Sequence, residues 1–75
     1  MKEISKEQFA ANLKSLRTEH GFTQEEMAEL LGISRPAYTQ YERMKTLPST
    51  KNFVKLASFF DISVAALTGG KGDVA

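Results

Sequence analysis

The chain has no cysteine and only one histidine, His20. This excludes a disulfide framework, a thiolate zinc site, a cysteine nucleophile and any multi-histidine metal centre, so no cofactor or metal is expected. Long apolar runs are missing too. The longest, from Val64 to Leu67, falls far short of the ~18 residues of a membrane span or the ~7 of a signal-peptide core. No segment alternates apolar and polar residues with a period of two, so no sheet is expected. There is no internal repeat and no low-complexity tract. Seventy-five residues make at most one domain, spanning 1–75, and too little chain for a multi-step enzyme. Leu, Ile, Val and Phe nevertheless supply 18 of the 75 residues, above the roughly 20% floor below which chains stay disordered. The chain should fold by packing alone, as a soluble cytoplasmic protein with no membrane partner.

The net charge of +1 conceals an asymmetry. Residues 1–33 carry four basic and six acidic groups, a balance of −2, and residues 56–75 carry −1. Between them Arg35, Arg43, Lys45, Lys51 and Lys55 face only Glu42, giving +4. Such a basic island is the usual footprint of polyanion binding, although a solvated face can show the same pattern.

The punctuation is that of short helices. Ser5 with Gln8, and Thr23 with Glu26, have the spacing of capping boxes, and Ile4/Phe9 and Phe22/Met27 that of hydrophobic staples. Gly21 and Gly32 follow as left-handed helix stops. Ser34 caps a third helix with Pro36 in its first turn, where a missing N–H breaks no intrahelical bond. Ser49 opens a fourth, striped by Phe53, Leu56 and Phe60, and Ser63 a short fifth ended by Gly69 and Gly70. The expected architecture is all-α, a compact five-helix bundle with helices at about 5–20, 23–31, 34–44, 49–60 and 63–68. Residues 70–75 have nothing to bury and are expected to form a flexible tail.

On a helical wheel the third helix places Tyr38 and Tyr41 on one side and Pro36, Thr39, Gln40 and Arg43 on the other, within reach of Arg35. This outer face is polar yet nearly free of carboxylates. Arg, Gln and Thr can hydrogen-bond base edges, although an ordinary surface that happens to lack Glu would read the same way. A helix from Thr23 to Leu31, a tight connection and a helix from Arg35 onward have the dimensions of a helix-turn-helix, at about 23–44.

The stretch from Gly21 to Arg43, GFTQEEMAELLGISRPAYTQYER, closely resembles Cro/C1-type (XRE-family) helix-turn-helix domains, and the resemblance runs from about Leu13 to Leu67. It implies a lambda-repressor-like DNA-binding domain. It further implies that Gln24 clamps a phosphate, and that Arg35, Pro36, Thr39 and Gln40 face bases. Arg43 and Lys45, at the far end of the third helix, are better placed for phosphates. Arg17 and Glu42 match a pair that ties helix one to helix three by a buried ion pair, two separate surface charges being the alternative. The chain departs from the family at Met44, where glycine is common. Either the exit from helix three differs, or Met44 bears strain.

His20 reads as a helix C-terminal group complementing the dipole, and no carboxylate dyad, nucleophile elbow or phosphate loop accompanies it, so an enzyme is not expected. The leading expectation is a sequence-specific transcriptional regulator, a repressor reading a palindromic operator in double-stranded DNA as a homodimer. The alternatives are the antitoxin of a toxin-antitoxin pair, for which the residues after Gly69 offer little toxin-wrapping material, and a protein-interaction module that kept the fold without DNA binding. For the homodimer, Phe59 and Val64 are the expected interface residues. Phe60, Ile62 and Leu67 are expected in the monomer core, whereas Phe59 lies off the apolar stripe of its helix.

Overall fold

A Ser or Thr side-chain oxygen opens every helix in the computed structural model, which describes residues 4–69. The helices are α1 (Lys6–Glu19), α2 (Gln24–Leu31), α3 (Arg35–Glu42), α4 (Thr50–Phe59) and α5 (Val64–Thr68). Among the described residues there is no strand, and no helix is long and apolar enough to cross a membrane. The expected flexible segment 70–75 lies outside the described residues. Ser5, Thr23, Ser34, Ser49 and Ser63 accept from the backbone N–H groups of Gln8, Glu26, Ala37, Asn52 and Ala66. Each bond satisfies a donor that the helix itself leaves free. At Thr23 the box is complete, the Thr23 N–H donating back to Glu26 Oε1 at 2.8 Å.

At Ser5 the expected box is only half formed. The Gln8 amide donates instead to Asn12 Oδ1 at 3.0 Å, one turn further along α1. Asn12 in turn donates through Nδ2 to the carbonyls of Leu67 at 2.8 Å and Gly69 at 2.9 Å. This satisfies orphan carbonyls at the end of α5, a helix of five residues that could not stand alone.

Four helix exits share one geometry. Phe22, Ile33, Lys45 and Ile62 donate their N–H groups to the carbonyls of Arg17, Ala28, Gln40 and Ala57, at 2.9–3.0 Å. The residue before each donor is left-handed, as a Schellman motif requires: Gly21, Gly32, Met44 (φ 64°) and Asp61 (φ 58°). Helix α3 thus stops at Glu42 rather than 44, with Arg43 as its C-cap, and Met44 bears the strain of a left-handed turn.

The core joins Phe9 and Leu13 of α1, Met27 and Leu31 of α2, Tyr38 and Tyr41 of α3, Phe53 and Leu56 of α4, and Phe60 and Leu67 beyond. Phe9 sits at its centre, with Phe53 and Tyr41 packed edge-on at 5.1 and 6.3 Å. His20 is the C-cap of α1. Its Nδ1 lies 2.8 Å from the Leu16 carbonyl, and its ring rests 5.0 Å from that of Phe60.

Met44 is 49% exposed, so little packing offsets its backbone strain. The left-handed region costs a side-chain-bearing residue about 1–2 kcal/mol, whereas glycine costs about 0.5–1 kcal/mol through the unfolded chain. Met44→Gly is therefore expected to raise the melting temperature by a few degrees, given a scale of about 4–8 °C per kcal/mol for a domain this size. Met44→Ala, which keeps the Cβ, should leave it nearly unchanged. Thermal melts followed by circular dichroism check both, and a lower melting temperature for Met44→Gly would show that the turn is unstrained.

Candidate nucleic-acid interface

The turn at Gly32 and the Ser34 cap set α3 against α2. Tyr38 and Tyr41 are buried, while Arg35, Pro36 and Arg43 are exposed and Thr39 and Gln40 half-buried. Those five exposed or half-buried residues line one open depression of about 270 Å³. All four residues expected to face bases, with Arg43, are thereby brought together on one surface. Lys45 is exposed beyond Met44 and does not line it.

Gln24, the first residue of α2, reaches across to α3. Its Oε1 accepts from the Thr39 hydroxyl at 2.7 Å, and its Nε2 donates to Glu42 Oε1 at 3.1 Å. The bond to Glu42 uses one of the two hydrogens on Nε2.

Glu42 is the centre of a larger network. Arg17 donates from Nε to Oε2 at 2.6 Å and from Nη2 to Oε1 at 3.2 Å, a fork-on-fork pair. Tyr38 donates its hydroxyl to Oε2 at 2.5 Å, and Arg17 Nη1 donates to the Phe22 carbonyl at 2.9 Å. The side chain of Glu42 is only 4% exposed. Burial pushes its carboxyl up, but hydrogen bonds from Arg17, Tyr38 and Gln24 outweigh this and hold it below the usual carboxylate range. The bond to Glu42 raises the Arg17 guanidinium still further. Burial, reinforced by donation to Glu42, pushes the Tyr38 phenol up. No buried side-chain polar atom among the described residues lacks a partner.

Two of the three carboxylates of α2 lie elsewhere. Glu26 and Glu29 border a second, apolar groove of about 390 Å³ with Phe22, Met27, Leu30 and Phe59. Phe59 is 40% exposed and Val64 38%. The ring of Phe59 packs against those of Phe22 and Phe60, each at 5.1 Å, so part of this aromatic is used within the chain. Val54, also exposed, adds apolar surface on α4 that the helical stripe alone did not single out. Sequence reasoning also missed the Tyr38 hydroxyl as a ligand of Glu42. Its signal was the four-residue spacing that puts the two on one helical face.

Comparison with known proteins gives this geometry a context. The sequence pattern of the helix-turn-helix family matches residues 13–67. The chain is 38% identical over 65 residues to an uncharacterized HTH-type transcriptional regulator of Bacillus subtilis, covering 87% of this chain and 56% of that protein. It is 32% identical to a cryptic phage CTXphi transcriptional repressor from Vibrio cholerae, covering 79% of this chain and 53% of that one. The chain thus spans about half the length of these curated relatives. Among solved structures, the restriction-modification controller protein C.AhdI from Aeromonas hydrophila superposes with a TM-score of 0.73 at 35% identity, covering 83% of this chain and 94% of that one.

Removing one partner of a buried ion pair strands the other, so Glu42→Ala is expected to cost about 3–5 kcal/mol in urea unfolding. The pH dependence follows from the lowered carboxyl. The unfolded chain titrates Glu42 near pH ~4.3, so its stabilisation is complete above that value and is lost as pH falls through the lower folded one. Unfolding of the parent should therefore steepen below about pH 4.3, and Glu42→Gln should flatten that acid limb. Parallel acid limbs in the two proteins would place the acid sensitivity at other groups.

Proposed function

The chain belongs to the helix-turn-helix family, and from that membership we propose that it is a sequence-specific, double-stranded-DNA-binding transcriptional regulator whose α3 enters the major groove. The observation that carries this reading is the α3 depression. Its lining of Arg35, Pro36, Thr39, Gln40 and Arg43 contains no carboxylate, and it lies on the outer face of one helix, the element that a major groove admits. Arg35 supplies a fork suited to guanine and Gln40 an amide suited to adenine, while Pro36 offers only apolar contact. Arg43 and Lys45, with the remaining amide hydrogen of Gln24, serve the phosphates.

One recognition helix contacts few base pairs, and two-fold pairing with half-sites about 34 Å apart remedies this. The exposed apolar surface of Phe59 and Val64 supports a homodimer through α4 and α5, and hence a palindromic operator.

Binding-site selection from random duplexes is expected to return a palindrome. A dimer neutralising three or four phosphates per subunit should show a log K against log salt slope of about −5 to −7. Arg43→Ala should weaken every sequence alike and flatten that slope, whereas Arg35→Ala and Gln40→Ala should cost about 1–3 kcal/mol mainly on the selected site. Binding indifferent to salt overturns the proposal. Phe59→Lys or Val64→Lys should yield a folded monomer in sedimentation with much weaker operator binding. A parent chain that is monomeric at high concentration would rule out this interface.

A further inference from the structure

Thr39 stands on the α3 face proposed to read DNA, but its hydroxyl is not free. A threonine hydroxyl has one hydrogen and two lone pairs, and on a helix it commonly spends the hydrogen on the carbonyl four residues back. Here the hydrogen goes to Gln24 Oε1, at 2.7 Å. The direction of that bond is forced from behind. An ionised carboxylate can only accept, so the Gln24 amide must turn Nε2 toward Glu42, at 3.1 Å, leaving its hydrogen-free Oε1 to face Thr39. Arg17 and Tyr38 occupy the other approaches to the carboxylate, which keeps it an acceptor. Thr39 must therefore be the donor to Gln24, and with its one hydrogen spent there the hydroxyl has only lone pairs to offer in the depression that Thr39 lines with Arg35, Gln40 and Arg43.

We infer that Thr39 reads DNA as a hydrogen-bond acceptor only, with its polarity set by Gln24 and Glu42 behind it. It selects an exocyclic amino group, N4 of cytosine or N6 of adenine, and rejects the carbonyl that a C→T or A→G transition puts in the same place. Gln24 is then a specificity-determining residue for a base it does not touch. This rests on the DNA-reading function proposed above and adds to it the chemical identity of one base contact. A threonine free to rotate would donate or accept with equal ease and would tolerate either partner.

The test compares the selected half-site with duplexes carrying one transition at a time. In the parent protein, a transition at one pair should weaken binding about tenfold or more, the scale of a good base contact. Thr39→Val, lacking the hydroxyl, should shrink that penalty at the same pair, and Thr39→Ser should keep it. Gln24→Met frees the hydroxyl to rotate and donate. It should relax the preference at that same pair, beyond any uniform loss of affinity on all duplexes. Cooperative melting of each variant controls for folding, and if Gln24→Met unfolds, the parent's transition penalty together with the two Thr39 variants decides whether Thr39 reads as an acceptor only. A penalty at every pair unchanged in Thr39→Val, or undiminished in a folded Gln24→Met, overturns the relay. A parent protein that prefers no sequence overturns the DNA-reading function itself.

Discussion

The carboxylate of Glu42 is where three helices meet. Arg17 approaches it from α1, Gln24 from α2 and Tyr38 from its own helix, one turn back. The apolar contacts that join the same helices are non-directional and would tolerate small rotations of α3. A bidentate fork admits one geometry. Burying an ion pair contributes little to net stability compared with an apolar substitute, because desolvation offsets much of the attraction. Its consequence here is orientation. The angle at which α3 is presented, and the direction in which Gln24 points, both follow from a side chain that is almost wholly buried behind the outer face of α3.

Where the controlling physics is local, the sequence was sufficient. All five helix starts were legible because a Ser or Thr accepts an N–H three residues on, an interaction needing no knowledge of the rest of the fold. Helix ends were legible where glycine marks them, at Gly21 and Gly32. They were not at Asp61, where the left-handed turn brings Ile62 back onto the core, and a non-glycine residue gives no local sign of such a turn. Asn12 was equally opaque, since the carbonyls it caps lie more than fifty residues away along the chain. At the site, the polar outer face of α3 emerged from helical periodicity, and the Arg17 and Glu42 positions from family resemblance. The donor and acceptor roles of Gln24 and Thr39 did not, because they depend on three side chains from two helices arriving together.

Phe22 links regions that would otherwise be separate. Its N–H donates to the Arg17 carbonyl, and its own carbonyl accepts from Arg17 Nη1, so Arg17 holds the turn between α1 and α2 from both sides. The ring of Phe22 meanwhile packs against Phe59 in the apolar groove bordered by Glu26 and Glu29. The network behind α3 and the exposed aromatic on α4 are thus joined by direct contacts through Phe22 alone. Glu26 and Glu29 of α2 lie on the groove side of this link, and the depression on α3 is lined by no carboxylate.

The start of α3 has few backbone donors left to offer. Pro36 has no N–H, and those of Ala37 and Tyr38 are taken by the side chain and carbonyl of Ser34. Whatever α3 meets, it meets through side chains, and Arg35, Pro36, Gln40 and Arg43 contribute nothing to the buried core. The framework and its outward face are therefore separable. Four positions can be exchanged without disturbing what holds the helices together, so one scaffold can be redirected to many targets by surface substitution. Thr39 alone is not interchangeable in this sense, for a new residue there must be matched from behind, on a different helix.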